Sequence, residues 1–468
     1  MSQLHNQAPL ADEAAPPDRR ITLKLLFLCL ITAIIAVLIA RHVTGINGPT
    51  YWQWPWRISF GWLPYIVLVL ASIPTAIAQY RFFPTNNSGS ASCVVGIVLM
   101  MGTVLCFELA DRASDLSPPD LTRIATIIED PGSNGYFTHA EEFLAGDQSL
   151  RQFLDDYPKK MASFTMHARN KPPGSILFYV PFLKLAATEN GAALAAGLFI
   201  AILATLSVPA TYLLVLEFTA SKAAAFAAAG CISLSPGLLL FLPEFDQFYP
   251  VFSCSLLILW SRALRTSRPA YPIALGLLCA AVCFMTFNLL VLGVFFLAYA
   301  ALASRTVGIT TVLRQAALAL GAFIAAYLLL WLSSGYDPIH TLITGYLTHL
   351  PDLPALHRIW PYTVPYDLTD FALGAGWVGA FLAIVSLFSA APRTKKLPIC
   401  LICLAQPLAV ALSGQLQGET ARVWIFMLPL LLVPAGLELA TWPRAARMIA
   451  FGCLVLLATL LSQNMVFV

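Results

Sequence analysis

The segment His167-Ala168-Arg169-Asn170-Lys171-Pro172-Pro173-Gly174 sets an imidazole and two cations just before a stiff turn. Pro-Pro-Gly stiffens the turn and can place the lysine where a lipid headgroup sits. Lys171, Arg169 and His167 together suit a phosphate at a membrane surface. Snorkelling cations that meet lipid headgroups without selecting them give the same sequence signal. Acids lie upstream. Glu129-Asp130-Pro131-Gly132 reads as two carboxylates at a helix start, fit for a general base or a metal, or for a plain N-terminal cap. Asp155-Asp156 reads as solvated charge. Farther along stand Glu244 and Asp246, at the end of an apolar run where acids are functional or paired. Glu419 and Arg422 are three apart, the spacing of a helix pair in which Glu orients a phosphate-gripping Arg. Arg358, in Arg358-Ile359-Trp360-Pro361-Tyr362, offers another cation. Acids and cations from four distant segments would supply a base for an acceptor and cations for a leaving phosphate, if the fold gathers them.

The elements that must do the gathering are membrane helices. Of 468 residues 59% are hydrophobic and 11% charged, with mean hydropathy +0.76; a soluble domain carries about 25% charged residues. Apolar runs long enough to cross about 30 Å of hydrocarbon fall near 22–41, 59–79, 91–110, 192–216, 222–241, 248–264, 270–286, 288–304, 313–333, 371–391, 397–413, 423–440 and 448–464. The expectation is an all-α polytopic membrane protein with about 13 transmembrane helices. Residues 1–20 read as a disordered cytoplasmic tail, 21–110 as three spans, 111–189 as an outer loop, and 190–468 as about ten spans with a second outer loop at 334–370. With the N-terminus inside, fifteen Lys and Arg residues face the cytoplasm and four sit in short outer loops, which fixes the orientation. Tyr136, Phe137, Ala140, Phe143 and Leu144 recur at helical spacing, an amphipathic helix on the membrane surface. Phe153 to Tyr157 reads as a second one, ended by Pro158. Gly174 to Ala187 is too short to cross and reads as a half-buried helix in the outer leaflet. Tyr51, Trp52, Trp54 and Trp56 read as an anchoring aromatic belt. The ten cysteines lie in apolar stretches and read as packing residues, not a disulfide framework or metal site. No basic run is interleaved with aromatics, which excludes nucleic-acid binding as a reading.

In this order the motifs resemble the GT-C superfamily of membrane glycosyltransferases. The resemblance rests on Gly135-Tyr136-Phe137-Thr138-His139-Ala140-Glu141-Glu142-Phe143-Leu144 in the loop, then His167 through Gly174, similar to the family's H…KPPG segment. Leu234-Ser235-Pro236 and Asp246 follow, and Gly418 through Pro429 looks like a segment of bacterial members. It covers about residues 90–440. The family's Asp-Glu pair before the loop aromatics is replaced by Ser133-Asn134, so the catalytic acid is Asp130, with Glu129 beside it, or Asp111, or is absent.

The resemblance implies an enzyme of the cell envelope that moves a sugar from a polyprenyl-phosphate donor to a lipid, glycan or protein. Asp130 would deprotonate the acceptor. Lys171, Arg422, Arg358 and Arg169 would hold the donor phosphate, and His167, Glu419, Asp246 and Tyr136 would line the substrate site. It also implies a bacterial inner-membrane location, membrane lipid as a partner, and a divalent metal as a possible but unrequired cofactor. A lipid-linked sugar flippase is the alternative, though the chain has few charges at mid-membrane, Glu217 and Arg314 lying near span ends. An inactive GT-C-like scaffold is a third reading.

Overall fold

The computed structural model describes residues 19–48, 53–57, 62–84, 90–115, 119–133, 135–266, 268–389 and 396–468. Tyr51, Trp52, Asn134 and most of the N-terminal tail lie outside them. Among the described residues every regular element is a helix, apart from one antiparallel bridge between Trp56 and Met465.

Among the described residues seven helices are long and apolar enough to cross a membrane: Arg19–Ala40, Leu63–Arg81, Ala91–Ala113, Glu189–Thr219, Asn288–Val307, Ile309–Ser334 and Arg444–Asn464. An eighth candidate is a pair, Val364–Gly374 and Val378–Ser386, bent by 106°. The bend needs Gly376 at φ +70° and Trp377 at φ +52°, the left-handed region. Shorter apolar helices, Lys222–Ile232, Ala270–Met285, Leu397–Ser413 and Ile425–Leu439, occupy other apolar runs. The 222–241 run is broken because Ser233-Leu234-Ser235-Pro236 ends its first helix, and Pro236 starts a one-turn helix to Leu239.

The core lies around Lys222–Ile232, whose residues from Ala224 onward are all buried. Its alanines let a neighbour approach to backbone contact: a Cβ on Gly436 would stand 2.4 Å from the Ala224 carbonyl oxygen. The Ile309–Ser334 helix is the opposite case. Only 6% of its apolar window is buried, so most of its leucines face outward although one side packs on Ala270–Met285.

Short helices cover the ends of these spans. Tyr136–Ala145 buries Tyr136, Phe137, His139, Ala140 and Phe143, four of them expected on its apolar face, while the fifth expected residue, Leu144, is half-buried. Leu150–Lys160 is started by a Ser149/Gln152 capping box and runs two residues past Pro158. The proline therefore does not end the helix, which closes at Lys160. Gly174–Leu177 and Val180–Leu185 form the short apolar segment after the Pro-Pro-Gly turn. Trp54 departs from the expected lipid anchor: it is 7% exposed, and its Nε1 donates to Asp370 Oδ1 at 2.8 Å.

Candidate functional site

The Pro-Pro-Gly turn fixes Lys171. A Cβ on Gly174 would lie 2.3 Å from the carbonyl oxygen of Phe284, so only glycine lets the turn seat against the Ala270–Met285 helix. The Tyr157 hydroxyl donates to the Lys171 carbonyl at 2.8 Å, and Lys171 Nζ donates to Asn288 Oδ1 at 2.5 Å. No carboxylate among the described residues lies within ion-pair distance of Lys171.

A chain of alternating charge runs opposite. Arg422 Nη1 meets Glu244 Oε2 at 3.0 Å, and its Nη2 donates to Glu419 Oε2 at 2.7 Å. The other Glu419 oxygen accepts from Arg358 Nη2 at 2.8 Å, and Arg358 Nη1 donates to the Gln417 carbonyl at 3.1 Å. Glu419 holds both arginines from a left-handed backbone at φ +52°. The backbone beneath is bolted to the bent helix pair. Gly418 N donates to Asp367 Oδ1 at 2.8 Å and Ala421 N to Asp370 Oδ2 at 2.7 Å. Added Cβ atoms on Gly237 and Gly374 would stand 2.7 and 2.8 Å from the Ala421 carbonyl oxygen.

Lys171, Asn288, Glu244, Arg422, Glu419, Arg358 and Gln417 line a cavity of about 280 Å³, together with Tyr136, His167, Asn170, Asp246, Tyr346, His349 and Asp352. Burial raises the Glu244 carboxyl to about 7; Arg422 opposes this, while Asp246 and Glu419 add to it. Burial would raise Glu419 too, but Arg422 and Arg358 outweigh it and hold the carboxyl at about 2. Burial lowers His167 to about 4, with Arg422 adding to the effect, so the ring is neutral at pH 7. Burial also pulls Lys171 below its ordinary value, against the attraction of Asp246. Tyr136 is pushed well up by burial and by Asp246 and Glu244.

No protein-family model and no curated protein matches this chain.

Of the residues expected from sequence, the cavity gathers Tyr136, His167, Lys171, Asp246, Arg358, Glu419 and Arg422. The three expected catalytic acids are not in its lining. Glu129 ends the helix Thr122–Glu129 instead of starting one. Asp130 is exposed, and its oxygens accept from Gly132 N at 2.9 Å and Ser133 Oγ at 3.2 Å, a local turn. Asp111 is buried against Arg112 Nη2 at 2.5 Å and also accepts from Ser462 Oγ. Arg169 reaches the site only through Asp352, with which it pairs.

The residues not assigned from sequence are Glu244, whose place beside a span end was noted, and Asn170, Asn288, His349 and Asp352. Asn170 adjoins Lys171, and that adjacency was the available signal. His349 and Asp352 come from the 334–370 stretch, where the helix Pro338–His349 covers the cavity. Among the described residues no three His, Cys, Asp or Glu side chains are grouped to hold a metal. Glu244 and Glu419 are also taken by arginines, so the donor set does not fit a divalent ion.

Chemically, the cavity offers a cation with a neutral partner, two neighbouring carboxyl groups with different surroundings, and a neutral imidazole. Two carboxyl groups whose proton affinities are pushed apart are the arrangement that acid–base chemistry uses.

Proposed function

We propose that the chain is a GT-C-type membrane glycosyltransferase that takes its sugar from a polyprenyl-phosphate donor. In this reading thirteen helical crossings, some short or broken, place the cavity on the outer face of a bacterial inner membrane, with the N-terminus cytoplasmic. The observation that carries it is the seating of Lys171, with only a neutral amide partner, in the same cavity as Asp246 and Glu244.

Asp246 takes the role expected of Asp130, because it is the acid that lines the cavity without an arginine across from it. The acceptor hydroxyl gives its proton to Asp246, and its oxygen forms a bond to the anomeric carbon. The bond from that carbon to the phosphate oxygen breaks on the opposite side. The electron pair leaves with the phosphate, whose charge Lys171 meets. Arg422 and Arg358 are each committed to Glu419, so they position the wall and shape its field.

The test uses full-length protein in nanodiscs with a polyprenyl-phosphate-linked sugar and a lipid acceptor. Asp246→Asn is expected to abolish transfer while the protein retains the donor, and Lys171→Met to lose the donor itself. Mass spectrometry of lipids that copurify with wild type identifies the donor class. Donor binding without turnover in wild type would favour the inactive scaffold; full transfer by Asp246→Asn removes Asp246 from the mechanism.

A further inference from the structure

We propose that Asn170, His349 and Asp352 form a subsite that reads the hydroxyl groups of a sugar seated beside Lys171. It rests on the donor-site reading above and gives one wall of that site a ligand chemistry.

The three residues come from three short elements packed together, Asp352 opening a one-turn helix of its own, Asp352–Ala355. Asn170 ends the turn before Lys171, while His349 and Asp352 lie at and just beyond the end of the helix Pro338–His349. That helix comes close to the turn at Gly345, where a Cβ would stand 3.3 Å from the Asn170 carbonyl oxygen. Arg169 pairs with Asp352 Oδ1 and fastens the corner. With that bond made, Asp352 Oδ2, Asn170 Oδ1 and His349 Nδ1 are buried and have no hydrogen-bond partner among the described residues.

Buried polar atoms are nearly always paired. All three residues line the cavity and each keeps one unpaired atom, so small side-chain shifts would bring these atoms to a ligand's polar groups. Their chemistry says which groups. Asp352 Oδ2 and Asn170 Oδ1 only accept hydrogen bonds. Burial holds His349 below its ordinary value, so its ring keeps one donor and one acceptor at neutral pH. A phosphate brings acceptors alone and suits Lys171 instead. Hydroxyl groups carry the donors that these oxygens need. Tyr346, on the same helix and in the same lining, adds a ring for the apolar face of a sugar.

Two probes test it on full-length protein in nanodiscs: bare polyprenyl phosphate, and the same lipid phosphate carrying a hexose. Asn170→Ala and His349→Ala are each expected to weaken the hexose-bearing lipid about tenfold, while bare lipid phosphate changes less than about twofold. Retained binding of the bare lipid shows that a variant is folded. His349→Gln, which keeps a donor and an acceptor, is expected to recover part of the loss. Equal loss of both probes in all three variants, or no loss of either, overturns the subsite. Wild type that binds the bare lipid as well as the hexose-bearing one overturns the subsite and leaves the phosphate site standing. Wild type that binds neither overturns the donor-site reading, and the subsite with it.

Discussion

Glutamine in place of Glu419 keeps the side chain's shape and removes the charge on which two guanidinium groups converge. The wild-type carboxyl is held at about 2, against an ordinary 4.5, because Arg422 and Arg358 outweigh the burial that would raise it. That separation corresponds to about 3 kcal/mol at pH 7, at about 1.4 kcal/mol per tenfold change in proton affinity. The folded value is the depressed one, so the stabilisation is complete above 4.5 and fades as pH falls toward 2. By pH 3 the same relation leaves less than about half of it. The assay is the thermal midpoint of detergent-solubilised wild type and Glu419→Gln across pH 3 to 8. A wide, level gap is expected above about pH 5.5, narrowing steadily below. A gap of the same size at pH 3 and pH 8, or none at pH 7, refutes the assignment of the stability to this charge.

Glu244→Gln is expected to act with the opposite sign. Its carboxyl is raised to about 7, so the native state bears a cost that is absent below 4.5 and full above 7. The variant should then melt higher than wild type at pH 8.5, by up to about 3 kcal/mol, and match it at pH 4.5. Gly174→Ala should lose donor binding, since its methyl meets the Phe284 backbone at 2.3 Å and must lift the turn that carries Lys171; copurified lipid measures it. Gly276→Val should impair folding and yield, because even a Cβ there lies 2.1 Å from the Ala319 carbonyl oxygen on the facing helix. Size-exclusion profiles of the two proteins check that outcome.

The cavity's charged residues were legible because a charge beside an apolar run is expensive unless it has a partner or a purpose. Lys171, Asp246, Glu419 and Arg422 all stand at such places, and the spacing of the last two gives the ion pair that forms. The acids Glu129 and Asp130 were misplaced for a local reason. Pro131-Gly132 can follow a helix or precede one, and here the helix lies before it, leaving Asp130 to close a turn. Asp111 could not be read because its fate depends on Ser462, 351 residues away. His349 and Asp352 lay in a polar stretch that reads as loop, and their importance comes only from the helix packing over Asn170. The helical content was plain in composition. The breaks at Pro236 and Gly376 were not, since an apolar run shows how much lipid a segment tolerates and not whether it runs straight.

The 106° bend and the thinly covered helix Asn288–Val307 have a joint consequence for how the two walls of the cavity are held. The wall that carries Glu419 and Arg422 is anchored through Asp367 and Asp370 to the bent pair. The opposite wall includes Asn288 and Leu290, at the start of a helix with 11% of its apolar window buried. One wall therefore rests on buried hydrogen bonds to the bent pair, and the other on a helix with little of its apolar surface covered. The ion pairs stand on the firmer side, and the Asn288 partner of Lys171 stands on the looser one.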